Sequence, residues 1–288
     1  MKIGIIGAGR VGVASAFAIA ESKVAEEILL IDVNKELAEG EAEDISQGMD
    51  ITKTLARAGD YPELADKGLV IITAGLRRKP EESRLDLIKK NACLMEEIVG
   101  SIKQYNKHCI IFVVTNPVDV LTYFTLKLSG FPANKVFGLG TYLDTVRLRS
   151  FLIREGLNPE AMVIGEHGDS MVFLGDIPDQ IAERTRRAGA EMIKKKGGAG
   201  WAVGLAVADV VKAIVRDEKS IFPLTSLIND WNGLSGLCIS VPVEVASSGI
   251  ISYPEISLTE EERERFLHSY NVINSTLANL QISLRYKG

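Results

Sequence analysis

Two short segments of this chain carry residue types and spacings that could do chemistry. The first is Gly7-Ala8-Gly9-Arg10-Val11-Gly12, which follows the apolar run Lys2 to Ile6 and opens a second apolar stretch, Val13 to Ala20. In that context Gly7 permits a tight turn, Gly9 lets a pyrophosphate approach the backbone, and Gly12 lets a helix pack close to a strand. The unpaired N–H groups and the dipole at the helix start both favour an anion there. Asp32 ends the next apolar run, where a carboxylate accepts hydrogen bonds from an adenosine ribose and repels a 2′-phosphate. NAD is therefore expected in preference to NADP, although Lys35 nearby leaves NADP open. The second segment, Gly165-Glu166-His167-Gly168-Asp169-Ser170, holds one of only three histidines. Imidazole exchanges protons near neutrality, and moving a hydride to or from a carbinol carbon requires a proton to move at its oxygen. His167 is the candidate acid/base. Taken singly, a glycine-flanked histidine in a polar loop also fits a surface turn.

A third segment points to an anionic ligand. Thr73-Ala74-Gly75 closes an apolar run, and Arg77, Arg78, Lys79 and Arg84 follow, with Pro80 among them. In an open α/β sheet, ligands bind at the carboxyl ends of the strands. Guanidinium groups there suit a carboxylate, and a polar loop bearing a proline suits a lid. A solvated loop of mixed charge is the alternative reading.

These segments need a scaffold, and the spacing of apolar runs supplies one. β-Branched runs at Lys2 to Ile6, Glu27 to Ile31, Leu69 to Thr73, Cys109 to Thr115 and Lys135 to Leu139 are separated by amphipathic stretches. Strands without polar alternation, divided by helices, indicate a doubly wound parallel sheet covered on both faces. Beyond about residue 144 the regularity changes. Helices are predicted through Arg147 to Glu155, up to the lysines 194–196 and over Trp201 to Val215, with strands at Ala161 to Gly165 and near 237–251. A capping box, Thr259 with Glu262, starts a last helix carrying Phe266, Tyr270, Ile273, Leu277, Leu280 and Leu284 at helical spacing. That stripe reads as core or subunit contact. The expected class is α/β: a Rossmann domain over 1–142 and a mixed α+β catalytic domain over 143–288.

Composition excludes several other classes. At 46% hydrophobic and 25% charged residues, the chain has the content of a folded globular protein, and 288 residues favour two lobes. A formal charge of −5 offers no basic field, so neither nucleic acid nor an anionic membrane is an expected partner. Cys93, Cys109 and Cys238 show no metal-ligand spacing, so no metal is expected and a reducing cytoplasm fits best. No targeting segment is read at the start, and Asp209 and Lys212 interrupt the longest apolar region, so no membrane span is expected either.

Taken in order, GAGRVG with Asp32, the TAG and RxKPxxxR loop, TNPVD at 115–119, LDTVRLR at 143–149 and GEHGDS at 165–170 resemble the lactate and malate dehydrogenase family over essentially the whole chain. The resemblance implies a Rossmann lobe, a catalytic lobe and oxidation of a 2-hydroxy acid by NAD. It implies that His167 is the acid/base and that Asp144 accepts its other ring N–H. Arg147 would grip the substrate's C1 carboxylate, Arg84 on the loop would polarise the C2 carbonyl, and Asn116 would bond substrate and help place the nicotinamide. Gly7, Gly9, Gly12 and Asp32 would hold the rest of the cofactor. It also implies that Arg78, six positions before Arg84, faces the C3 substituent, where malate enzymes carry Arg and lactate enzymes typically Gln. On that basis malate and oxaloacetate are the expected substrates, in a tricarboxylic acid cycle reaction, and Ala199 leaves room for them. Lactate is the alternative, and a non-catalytic NAD-binding protein a more distant one. Singly, Asp144 and Arg147 also fit a helical ion pair, and Asn116-Pro117 a turn. Glu81 departs from the glycine usual after the loop proline. The family forms dimers or dimers of dimers, and a homotetramer is expected, with a dimer as the alternative.

Overall fold

The computed structural model describes residues 1–76, 81 and 83–285, for residue 84 and residues 281–285 in the backbone alone. The first half alternates as the apolar runs require: β1 (Lys2–Ile6), α1 (Arg10–Glu21), β2 (Glu27–Ile31), α2 (Lys35–Gln47), a short α3 (Met49–Thr52), β3 (Leu55–Ala58), β4 (Leu69–Ile72), α4 (Arg84–Tyr105), β5 (Ile110–Val113), α5 (Val118–Ser129) and β6 (Val136–Gly138). The second half follows with α6 (Tyr142–Arg154), β7 (Met162–Ile164), β8 (Val172–Leu174), α7 (Asp179–Lys196), α8 (Trp201–Arg216), β9 (Ser220–Leu227), β10 (Cys238–Ala246), β11 (Gly249–Ser252) and α9 (Glu260–Arg285).

Strands β3, β2, β1, β4, β5 and β6 lie side by side in that order, all parallel. This is the doubly wound order, with its switch point between β1 and β4. Every residue of β4 and β5 is buried, which is why both read as unbroken apolar runs. The sheet does not stop at β6. Gly138 pairs with Thr225 of β9 in antiparallel sense, and β10 and β11 extend the edge, giving nine strands among the described residues. A separate hairpin of β7 and β8 frames the segment containing His167.

The expected α/β class with a mixed second half is the observed one. Three strands escaped the sequence reading. Leu55–Ala58 is short and rich in alanine and arginine, Val172–Leu174 has three residues, and Pro223 breaks the apolar pattern of β9. The capping box forms as expected: Thr259 N–H donates to Glu262 Oε2 at 2.8 Å and Glu262 N–H to Thr259 Oγ1 at 3.2 Å. Phe266, Ile273, Leu277 and Leu280 are buried beneath it, Tyr270 is half-buried, and the side chain of Leu284 lies outside the described residues.

The two halves also meet through helices. α8 packs on α1 so closely that a Cβ on Gly204 would lie 2.4 Å from the carbonyl oxygen of Ala14. Backbone cannot yield there as a flexible side chain could. Gly204→Ala is expected to destabilise the fold by about 1–3 kcal/mol, the range for overpacked contacts. A urea denaturation midpoint that falls at unchanged m-value would check this, and an unchanged midpoint would contradict it.

Candidate active site

The cofactor end is built by glycines whose reasons differ. Gly7 has φ +106°, a conformation that side chains resist, and a Cβ there would lie 2.6 Å from Ala74 N. A Cβ on Gly12 would fall 1.8 Å from Gly7 O, so α1 can approach the turn only without one. Gly9 is exposed and a Cβ on it would touch nothing, which leaves open space in front of the helix. No side chain caps α1, so its first N–H groups face that space. Asp32 stands beside it, accepting from Ala8 N–H at 2.7 Å and from Asn34 N–H at 2.9 Å. A helix start without a cap, an open glycine and a fixed carboxylate fit a dinucleotide's pyrophosphate and ribose.

The reactive end is built by α6 and the loop between β7 and β8. Thr141 Oγ1 donates to Val163 O at 2.6 Å, and Val163 N–H donates to Thr145 Oγ1 at 2.9 Å. These bonds stitch the first turn of α6 to β7. Asp144, in that turn and 1% exposed, benefits from the helix dipole as a carboxylate. Its Oδ2 meets His167 Nδ1 at 2.5 Å, and its Oδ1 accepts from an Arg147 guanidinium N–H at 3.1 Å. Arg147 lies one turn along α6 beside Gly189 of α7, where a Cβ would sit 3.8 Å from the guanidinium.

The His167 main chain is held as firmly as its ring. Its N–H donates to Asp119 Oδ2 at 2.9 Å, and Asp119 Oδ1 accepts from Thr225 Oγ1 at 2.6 Å. Gly165 exchanges two backbone hydrogen bonds with Ser240 of β10, and Glu166 N–H donates to Ser269 Oγ of α9 at 2.6 Å. Burial works against the His167 imidazolium, but the charge and hydrogen bond of Asp144, with Asp119 behind it, outweigh that and raise its pKa above the ordinary value. Burial pushes the Asp119 carboxyl up to about 6 against the two hydrogen bonds that favour its ionised form.

The structure thus brings His167 and Arg147 together on the two oxygens of Asp144. Asn116 is exposed on the segment entering α5, three residues before Asp119, and its carbonyl accepts from the buried Asn91 amide at 3.3 Å. Asn91 Oδ1 also accepts from Leu76 N–H at 2.8 Å, at the root of the basic loop. Arg77, Arg78, Lys79, Pro80 and Glu82 lie outside the described residues, as does the side chain of Arg84. The backbone of Arg84 begins α4, whose N-cap Ser83 accepts from Asp86 N–H at 3.1 Å. Asp119, Thr225 and Asn91 were missed by sequence reasoning. One signal was available for Asp119, a lone carboxylate inside the apolar run Val118 to Leu121.

A helix start open to an anion at one end and a carboxylate-oriented imidazole beside a guanidinium at the other fit an NAD-dependent 2-hydroxy acid dehydrogenase. Family-level similarity agrees: residues 1–138 match the lactate/malate dehydrogenase NAD binding domain and residues 141–281 its alpha/beta C-terminal domain. The chain belongs to the lactate/malate dehydrogenase family. It is 39% identical to an L-lactate dehydrogenase of Acetivibrio thermocellus, over 98% of both chains. A minor L-lactate dehydrogenase of Enterococcus mundtii, solved with ligands bound, superposes with TM-score 0.90 at 34% identity, over 96% of this chain and 98% of the other. A malate dehydrogenase of Archaeoglobus fulgidus, solved with NADH, superposes with TM-score 0.91 at 36% identity, over 98% and 100%.

These comparisons correct the expected substrate. The malate assignment, and with it a tricarboxylic acid cycle role, is not supported, because curated relatives at 37–39% identity over nearly the full chain are L-lactate dehydrogenases. The expectation rested on Arg78, with weaker support from Ala199, while agreement along the whole chain weighs the other way. The lactate alternative fits better.

Asp32 provides a test of the cofactor end. Asp32→Asn keeps the shape but loses the charge and one acceptor. NADH binding is expected to weaken by about 1.5–3 kcal/mol, the worth of a hydrogen bond to a charged group. Fluorescence titration of NADH reads this directly, and an unchanged Kd would remove Asp32 from the cofactor site.

Proposed function

We propose that the chain is an L-lactate dehydrogenase, interconverting lactate and pyruvate with NAD. The contact of His167 Nδ1 with Asp144 carries the dehydrogenase chemistry, since it fixes the ring and leaves Nε2 to exchange a proton with the substrate oxygen, and the L-lactate dehydrogenases at 37–39% identity support lactate as the substrate. In lactate oxidation, neutral His167 takes the hydroxyl proton as the C2 hydride departs, and Asp144 stabilises the imidazolium that forms. Arg147 grips the C1 carboxylate with its planar fork, for which an ammonium is no substitute. Arg84 polarises the C2 oxygen. Asn116 bonds substrate and helps to place the nicotinamide ring. Gly7, Gly9, Gly12 and Asp32 hold the cofactor's phosphates and ribose; bound NAD supplies the hydride acceptor and, when reduced, the donor.

The same reading extends to organisation. Residues 1–142 form the NAD-binding domain, which also lends Arg84 and Asn116 to the substrate, and residues 143–288 form the catalytic domain. Phe17 on α1 with Trp201 and Leu205 on α8 leave large apolar side chains exposed, at 54%, 67% and 65%, on helices that already pack together. An apolar surface of this kind supports a homo-oligomer, with a tetramer the expected form. The cysteines are unpaired, which supports a reducing cytoplasm. Among the described residues no helix is long and apolar enough to cross a membrane.

Absorbance of reduced nicotinamide tests the substrate. Pyruvate should be reduced with a higher kcat/KM than oxaloacetate, and a preference for oxaloacetate would overturn the lactate reading. His167→Asn should lower kcat by about a hundredfold to ten-thousandfold, the usual worth of an acid/base group, with NADH binding retained. The pH dependence has a fixed sign. Reduction consumes imidazolium, so its rate falls as pH rises through the His167 pKa, on the alkaline side of an ordinary histidine. Oxidation needs neutral imidazole and falls as pH drops through the same value. Limbs of the opposite sense would exclude His167 as the acid/base.

A further inference from the structure

Asp119 is a carboxylate in the wrong place for stability. It is 3% exposed, stands in the apolar first turn of α5, and makes no ion pair with Lys or Arg among the described residues. Among the described residues its donors are the main-chain N–H of His167, at 2.9 Å, and the hydroxyl of Thr225, at 2.6 Å. A neutral side chain could accept one of these bonds without the cost of burying a charge. The location explains what the charge does: it lies against the residue whose protonation state the reaction uses, on the main-chain side, while Asp144 holds the ring.

We propose that Asp119 is a positioning residue for His167, acting in two ways through one contact. It fixes the main chain of the His167 loop relative to the Asn116 segment, which enters α5 three residues before Asp119. It also adds a second negative charge near the imidazolium, so that His167 faces two carboxylates, Asp144 at the ring and Asp119 behind the backbone.

The surrounding groups set the sign. His167 feels Asp144 and Asp119, which favour its charged form, and Arg147, which opposes it. Asp119 feels His167, which favours its charged form, and Glu166, which opposes it; on the β10 side the Cys238 thiol feels the Asp119 charge. The Thr225 hydroxyl stabilises the ionised carboxyl and lies 3.0 Å from Ser240 Oγ, which in turn accepts from Thr141 N–H at 3.0 Å, just before α6. A run of hydrogen bonds thus joins Asp119 to the helix bearing Asp144. Removing the Asp119 charge must lower the His167 pKa, and removing the Thr225 hydroxyl must act in the same direction by favouring neutral Asp119 near its own titration range.

The inference rests on His167 being the proton-transferring group, so its primary test reads the imidazole directly and needs no substrate. With the histidine Cε1 positions isotopically labelled, NMR titration follows three imidazoles, His108, His167 and His268, and the His167→Asn variant identifies the signal. In Asp119→Asn the His167 pKa should fall by about half a unit to one unit, as expected for loss of a nearby opposite charge, while His108 and His268 are unmoved. Thr225→Val should shift it the same way by less, and it carries the test if Asp119→Asn does not fold. In steady-state assays with pyruvate the Asp119→Asn enzyme should lose about tenfold in kcat with KM within about twofold, the pattern of a group acting in the transition state. A His167 titration that superimposes on the native curve in the folded variants overturns the proposal. A shifted titration without pyruvate turnover in the native enzyme would instead overturn the lactate reading and leave the Asp119 assignment standing.

Discussion

The short contact between Asp144 and His167 is the constraint on which the rest of the architecture turns. The two residues come from different elements, a helix start and a hairpin loop, and an imidazole is useful only if its ring is held in one orientation and one tautomer. Everything around the contact limits movement. Thr141 and Thr145 fasten the helix to the hairpin, Gly165 is tied to β10, and Ser269 of the last helix takes the N–H of Glu166. The site is precise because several elements over-determine a single loop.

The same economy holds at the cofactor end, where shape dominates over charge. Gly7 and Gly12 are required by close approach, whereas Gly9 is required by what it leaves vacant. Asp32 is pinned by two backbone donors, so its carboxylate is already fixed in direction, as a ribose-binding role would require. Preorganisation of this kind lowers the cost of ordering groups on binding.

How much of this was legible in the sequence follows from the range of each interaction. Local patterns read well: β1 and β2 fell on their predicted residues, and the capping box at Thr259 formed as spaced. The pairing of His167 with Asp144 came through family resemblance, since no spacing rule joins residues so far apart. The bonds from Asp119 to Thr225 and from Asn91 to the Asn116 segment were invisible, because they depend on which strands and helices become neighbours. Substrate choice fared worst. It leaned on Arg78, with Ala199 in support, and a charge in a loop fixes a substrate only in a geometry that the sequence does not specify.

The pairing of β6 with β9 has a consequence for the order in which the molecule can be made. During synthesis the parallel half emerges first, but its last strand is an exposed edge of a sheet whose partner is encoded far downstream, after three helices and a hairpin. Bare edges of this type recruit other strands. The growing chain therefore carries an adhesive seam until β9 leaves the ribosome and closes it, and a nascent polypeptide interrupted between these strands is the species most exposed to misassembly.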